Sequence, residues 1–268
     1  MKGFMYHAIY DFKTGVRDKT LMLMNYLFPL GFFLLVGMFM TKINPYFVEI
    51  MVPGMLLFAL MSSSLLSLPG TLVTSREAGV YRNFRVHGIP SYSLIIIPII
   101  GNLFHAVIVC TLITAGSFLL FGGTLPVDWG WFVVVFMLAA LCLSTLGMLI
   151  GIVSQSSRAS VLIAQAFYLP SVLLGGLMIP GDQLPASLSP VASLFPATHA
   201  IRAFTQQAYA RVPAVGVAGS PLLVLVASII INLVLCFALF QWDVRPIGRK
   251  RLLFALLALA PFAASAML

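Results

Sequence analysis

From Ile50 to Ser75, and again from Val86 to Val127, the chain carries no Asp, Glu, Lys or Arg. Soluble domains average about one charged residue in four, so charge-free stretches this long imply a solvent other than water. Of the 268 residues, only 8% are charged and 61% are hydrophobic, and the mean hydropathy is +1.07. A helix crosses the hydrocarbon core with about 20 apolar residues. Six uncharged runs reach that length: 21–40, 50–73, 92–121, 130–153, 159–180 and 218–241. Inside lipid every backbone N–H and C=O must pair within its own segment, which leaves helices for these runs. The fold class expected is an all-α polytopic membrane protein with six transmembrane helices. A shorter run, 252–268, contains Pro261 and has only Ser265 as a polar group. It is just long enough to cross and has no polar face for lying in the interface, so it reads as a short seventh span.

The first 19 residues lack the apolar core and small-residue cleavage site of a signal peptide. At helical spacing, Phe4, Met5, Ala8, Ile9, Phe12 and Val16 form an apolar stripe, with His7, Asp11, Lys13, Thr14, Arg17 and Asp18 mostly opposite. That pattern predicts a helix lying in the membrane interface. With the N-terminus in the cytoplasm, twelve of the fifteen Lys and Arg fall in inner segments, as the positive-inside bias requires. The net charge of +8 is thus a topology signal. Its dispersal over four segments argues against nucleic-acid binding. The three cysteines lie in apolar runs and read as small core residues.

Charge concentrates in one stretch, "TSREAGVYRNFRVHGIPS" (74–91), the largest inner loop. Thr74 and Glu77 have the spacing of a capping box, and Gly88 followed by Pro90 is a helix stop. A short helix is predicted over about 75–87. Val80, Tyr81 and Phe84 share one side of it, and Arg82 and Arg85 the other. A capped two-faced helix is more than orientation requires and reads as a docking surface, with Glu77, Val80, Tyr81 and Phe84 expected to contact a partner or to brace the helix that does.

The chain has no G-x-S-x-G, no His/Glu metal pair at helical spacing and no G-x-x-x-x-G-K-[ST]. An enzyme is not expected, and any ATP must be bound by a partner. The six runs contain no carboxylate, which disfavours an ion-coupled secondary carrier. His105, beside Asn102, reads as a packed core residue. Gly147-x-x-x-Gly151 permits close helix approach and reads as packing within the chain. Asn25, Gln165 and Asn232 are isolated polar residues in spans. They suit interhelical hydrogen bonds first, and any of them could line a substrate path, Asn25 and Gln165 being the chosen candidates.

Two stretches resemble a known family. "REAGVYRNFRVHGIPSYSLI" (76–95), with Arg76, Glu77 and Gly79, is similar to the loop after span 2 of type-2 ABC transporter permeases, which export drugs and polysaccharides. "GGLMIPGDQLPASLSPVASLFPATHAIRAF" (175–204), with Gly176, Pro180, Leu184, Pro185 and Pro196, is similar to that family's exit from span 5. His199 stands where an aromatic is commoner. The resemblance covers about 1–245. It implies an N-terminal interfacial helix (1–19), a six-span permease domain (20–245) and a dimer of permeases docked on two copies of a separate ABC ATPase, which carries the ATP and Mg. Arg76, Glu77, Gly79, Val80, Tyr81, Arg82, Phe84 and Arg85 would form the coupling helix, with 154–158 a second contact. Residues 181–211 would form an outward re-entrant hairpin, and 246–268 a basic segment with a C-terminal apolar helix. No cofactor is expected on this chain. A path at the dimer interface is expected along spans 2 and 5, which carry the helix-breaking Pro53, Pro69, Pro170, Gly175 and Gly176. The function expected is ATP-driven export of a hydrophobic or amphipathic compound across the inner membrane, with glycan export as an alternative.

Overall fold

A computed structural model describes residues 2–44, 47–177, 185–210, 220–243 and 248–267. Among these residues there are no strands, and six helices are long and apolar enough to cross a membrane: Lys19–Ile43, Phe47–Glu77, Ser93–Phe121, Trp129–Val153, Ser157–Leu174 and Pro221–Leu239. They are numbered here as spans 1 to 6. Side-chain caps set several starts. Asp18 Oδ1 accepts from the Thr20 and Leu21 amides, Asp128 Oδ1 from Trp131, and Ser156 Oγ from Ala159. Each satisfies amide groups that the first helical turn leaves open.

Span 2 is the axis of the bundle. Within one subunit, 89% of its most apolar window is buried, against 22% for span 5. Every residue from Met51 to Leu65 is buried, Pro53 among them, enclosed by spans 1, 3 and 4 and the helix 196–203. Within one subunit, the faces of span 2 from Met51 to Leu65 are thus covered by its own chain. Close approach of span 4 makes this enclosure tight. A Cβ added at Gly147 would lie 1.9 Å from the Ser64 carbonyl oxygen, and one at Gly151 would lie 3.1 Å from the Pro69 Cα. Buried polar groups lock the contact. Asn102 Nδ2 of span 3 donates to Ser64 Oγ of span 2 (2.9 Å) and Ser144 Oγ of span 4 (2.8 Å).

Spans 1 and 2 each contain a π-helical turn, Leu23–Leu27 and Ser62–Ser67. The two turns adjoin, and Ser62 Oγ donates to the Met24 carbonyl across them (2.9 Å). Alternating span directions give the bundle two ends. One carries the 78–92 loop. The other carries the residues after span 5, where the amides of Val127 and Asp128 both donate to the Ala208 carbonyl.

The C-terminal apolar helix Leu252–Met267 packs along span 6 and runs antiparallel to it. Ala255 and Ala258 join the cluster around Leu235 and Leu239 near the loop end. Phe262 reaches the other end and packs against His199 (ring centroids 5.6 Å). The helix thus lies alongside span 6 within the bundle.

Candidate functional site

Span 2 remains helical past its apolar stretch to Glu77, then breaks at Ala78–Gly79 before a second helix, Val80–Val86. This corrects the boundary expected at Thr74. The Thr74 hydroxyl donates to the Gly70 carbonyl one turn back inside the helix (2.8 Å), so it caps nothing. The break is made by Gly79, whose φ of 74° lies in the left-handed region that glycine alone adopts freely. Gly88 (φ 69°) closes the second helix in the same way.

Of the two roles expected for the apolar side of this loop helix, contact with a partner or bracing, the packing matches bracing. Tyr81 is buried and packs on Phe240. Phe84 packs edge-on against His7 and Tyr10 of the N-terminal helix. The apolar side therefore braces the helix against its own subunit, and the exposed side is Arg82, Asn83, Arg85, Val86 and His87.

Three polar contacts fasten the end of span 2 and the loop to the bundle. Arg76 is buried, and its guanidinium donates to the Ile152, Gly151 and Ser154 carbonyls at the end of span 4. Glu77 accepts from Ser157 Oγ at the start of span 5 (3.1 Å). Arg82 pairs with Asp243 beyond span 6 (3.0 Å). Burial removes Arg76 from any outer surface. It also brings the 154–158 turn directly beside the loop, where Gln155 and Arg158 are exposed.

The N-terminal helix, Lys2–Arg17, covers a cavity of about 460 Å³ between itself, the loop helix and spans 1 to 3. Its expected two faces are three. Gly3, Phe4, His7, Ala8, Asp11 and Gly15 turn toward the protein, while Met5, Ile9, Phe12 and Val16 are exposed on a separate apolar side. His7 and Asp11 thus point inward, not to water. Burial lowers the His7 pKa to about 4, against a hydrogen bond with the Ser93 backbone that raises it. Burial raises that of Asp11 to about 6. The Tyr81 hydroxyl, also on this wall, is raised by burial and then by Asp11.

At the opposite end, span 5 stops at Leu174, short of the expected 180. Gly175 has no room for a Cβ, which would lie 2.2 Å from the Ser171 carbonyl, and Gly176 turns the chain at φ 86° against Ile201. Pro196 opens the helix Pro196–Ala203 and His199 is buried on it, its Nε2 hydrogen-bonded to the Ser193 carbonyl (2.8 Å). Burial lowers the His199 pKa to about 4. Pro185 is exposed before a short turn at Ala186–Leu188. Pro180 and Leu184 lie outside the described residues. Of the path candidates, Asn25 lines the 460 Å³ cavity. Gln165 is half-buried with an unpartnered Oε1. Pro53, Gly175 and Gly176 are packed against protein. The structure does not bring these five together.

The family described as ABC-2 type transporter matches residues 4–209. The chain belongs to that family. No curated protein and no solved structure matches it. The ABC-2 match begins inside the N-terminal helix and ends with the segment at Tyr209, so it takes in both the loop helix and the helix 196–203. As an ABC-2 chain it is an integral membrane component of a transporter, and the family implies an ABC ATPase partner. Sequence reasoning missed three features of this ABC-2 subunit: the inward His7 and Asp11, the Arg76 contact with span 4, and the Glu77–Ser157 link. These residues lie in stretches already rich in polar and charged groups, so no pattern marked them out.

Proposed function

We propose that the chain is the permease of an ATP-driven exporter that moves a hydrophobic or amphipathic compound outward across the inner membrane, with the N-terminus in the cytoplasm. Two such permeases would work with two ATPase subunits, which carry the ATP and Mg. One observation carries the reading. The last turn of span 2 is tied to span 4 through Arg76 and to span 5 through Glu77, and the surface helix that follows it, Val80–Val86, is tied to the end of span 6 through Arg82. A push on its exposed side would act on four spans at once, as coupling to a soluble motor requires. Arg82, Arg85 and Val86 are the residues available to that partner.

The test is co-purification followed by transport. A Walker-motif ATPase should accompany the chain, and inverted membrane vesicles containing both should accumulate a hydrophobic dye only when ATP is hydrolysed. Accumulation that follows a proton gradient, with ATP hydrolysis blocked, would overturn the proposal in favour of a secondary carrier.

A further inference from the structure

The cavity under the N-terminal helix plays no part in tying the loop to the spans, and its wall has a definite chemistry. The chain has only seven Asp and Glu, yet Asp11 and Asp18 both line this space, and among the described residues no Lys or Arg does. Asp18 is occupied in capping span 1. Asp11 sits half-buried with aromatic neighbours, where an ionised carboxylate lacking a cation is costly. Three further side chains on the wall, His7, Asn25 and Ser67, are no more than 5% exposed, and each keeps a polar atom without a partner: Nδ1, Oδ1 and Oγ. Natural interiors rarely leave such groups unsatisfied unless water or a ligand completes them.

The backbone at this place is built for the same end. Asn25 and Ser67 stand on the two adjoining π turns of spans 1 and 2. Such turns are uncommon and cluster at functional sites. Phe4, Tyr10, Phe84 and Phe104 supply rings around the space, and aromatic faces attract cations. The volume falls in the range that holds a drug-sized molecule, about 300–1,000 Å³.

We propose that this cavity binds a hydrophobic amine, its cationic nitrogen on the Asp11 carboxylate and its apolar body against the surrounding rings. Two carboxylates and no cation exclude an anionic ligand from the same place. The inference rests on reading the chain as a permease for hydrophobic compounds, and it makes the cavity a loading site on the loop side of the bundle. An exported amine and a phosphatidylethanolamine headgroup offer the same chemistry.

The purified full-length chain, held in phosphatidylcholine nanodiscs, would be titrated with dansylcadaverine, a fluorescent primary amine, and with its neutral N-acetyl derivative. Saturable enhancement is expected for the amine alone. Asp11→Asn should weaken it by about tenfold or more, the effect of losing one charge-assisted hydrogen bond, and Asp11→Glu should retain most of it. The melting temperature of Asp11→Asn should not fall, because an unpaired carboxylate has been removed. Equal affinity of Asp11→Asn and wild type, or of the amine and its acetyl derivative, overturns the site. In nanodiscs containing phosphatidylethanolamine, competition identifies the lipid headgroup as the occupant, and undiminished binding identifies an exported amine. Both results support the amine chemistry. A chain that binds the amine but never moves any compound with its ATPase keeps this site and loses the permease reading. ATP-driven export of dansylcadaverine at an unchanged rate and KM in Asp11→Asn does the reverse.

Discussion

Replacing Arg76 with glutamine removes the group that joins the last turn of span 2 to the last turn of span 4. The guanidinium donates to the Ile152 carbonyl at 3.1 Å, to the Gly151 carbonyl at 3.4 Å and to the Ser154 carbonyl. The 3.4 Å contact is long and contributes little. The other two are charge-assisted bonds of about 1.5–3 kcal/mol each, made to carbonyl groups at a helix C-terminus, where a cation is favoured. Against them stands the hydration that a buried guanidinium gives up, several kcal/mol before compensation. The net loss for Arg76→Gln is therefore about 2–3 kcal/mol. For a chain of this size that lowers the melting temperature by about 4–12 °C. Arg76→Lys keeps the charge but loses the two-pronged geometry and should fall between. The assay is intrinsic tryptophan fluorescence on the full chain in nanodiscs during heating. Arg76→Gln melting within about 1 °C of wild type would refute the reasoning, since the bonds would then contribute nothing measurable.

Gly147→Ala should destabilise by about 3 kcal/mol or more, because its methyl meets backbone at 1.9 Å, and Gly151→Ala by less, because its contacts start at 3.1 Å; relative melting temperatures check the order. Tyr81→Asp should reduce the yield of monodisperse protein by burying a charge beside Phe240, whereas exposed Arg85→Asp should leave yield unchanged and weaken ATPase co-purification. Binding of dansylcadaverine should strengthen as pH rises through about 6, because Asp11 is protonated below that value and charged above it. His7, with its pKa near 4, stays neutral across the window. Tyr10, Asp18, Tyr81 and His105 share the wall, and a flat profile in Asp11→Asn isolates the contribution of Asp11 from theirs.

The spans were legible because length and absence of charge are one-dimensional properties. Span 3 was expected to end at 121 and span 4 at 153, and both do so. The rotation of each helix was not legible. Core-facing and lipid-facing side chains are equally apolar in a bilayer, so hydropathy does not distinguish them. For that reason the enclosure of span 2 by its own chain was not visible in its sequence. The same ambiguity left two roles open for the loop helix: Tyr81 and Phe84 form an apolar face in either case, and only packing reveals that Phe240, His7 and Tyr10 cover it. The left-handed Gly79 and the π turns arise from tertiary fit, which local pattern does not encode. The glycines after span 5 were read as helix breakers, and their crowding against Ala197 and Ile201 shows that they also seat the end of span 5 on the helix 196–203.

The Asn102 bridge has a consequence for how this bundle finds one arrangement. Lipid offers no penalty for turning a greasy helix about its own axis, so apolar packing alone would admit several angular settings of nearly equal energy. One amide that reaches Ser64 and Ser144 together is satisfied at a single setting of three helices. It acts as an alignment pin, much as a lone buried asparagine selects the register of a coiled coil. A chain with leucine at position 102 would still insert six helices, but it would lose the contact that tells spans 2, 3 and 4 which way to face.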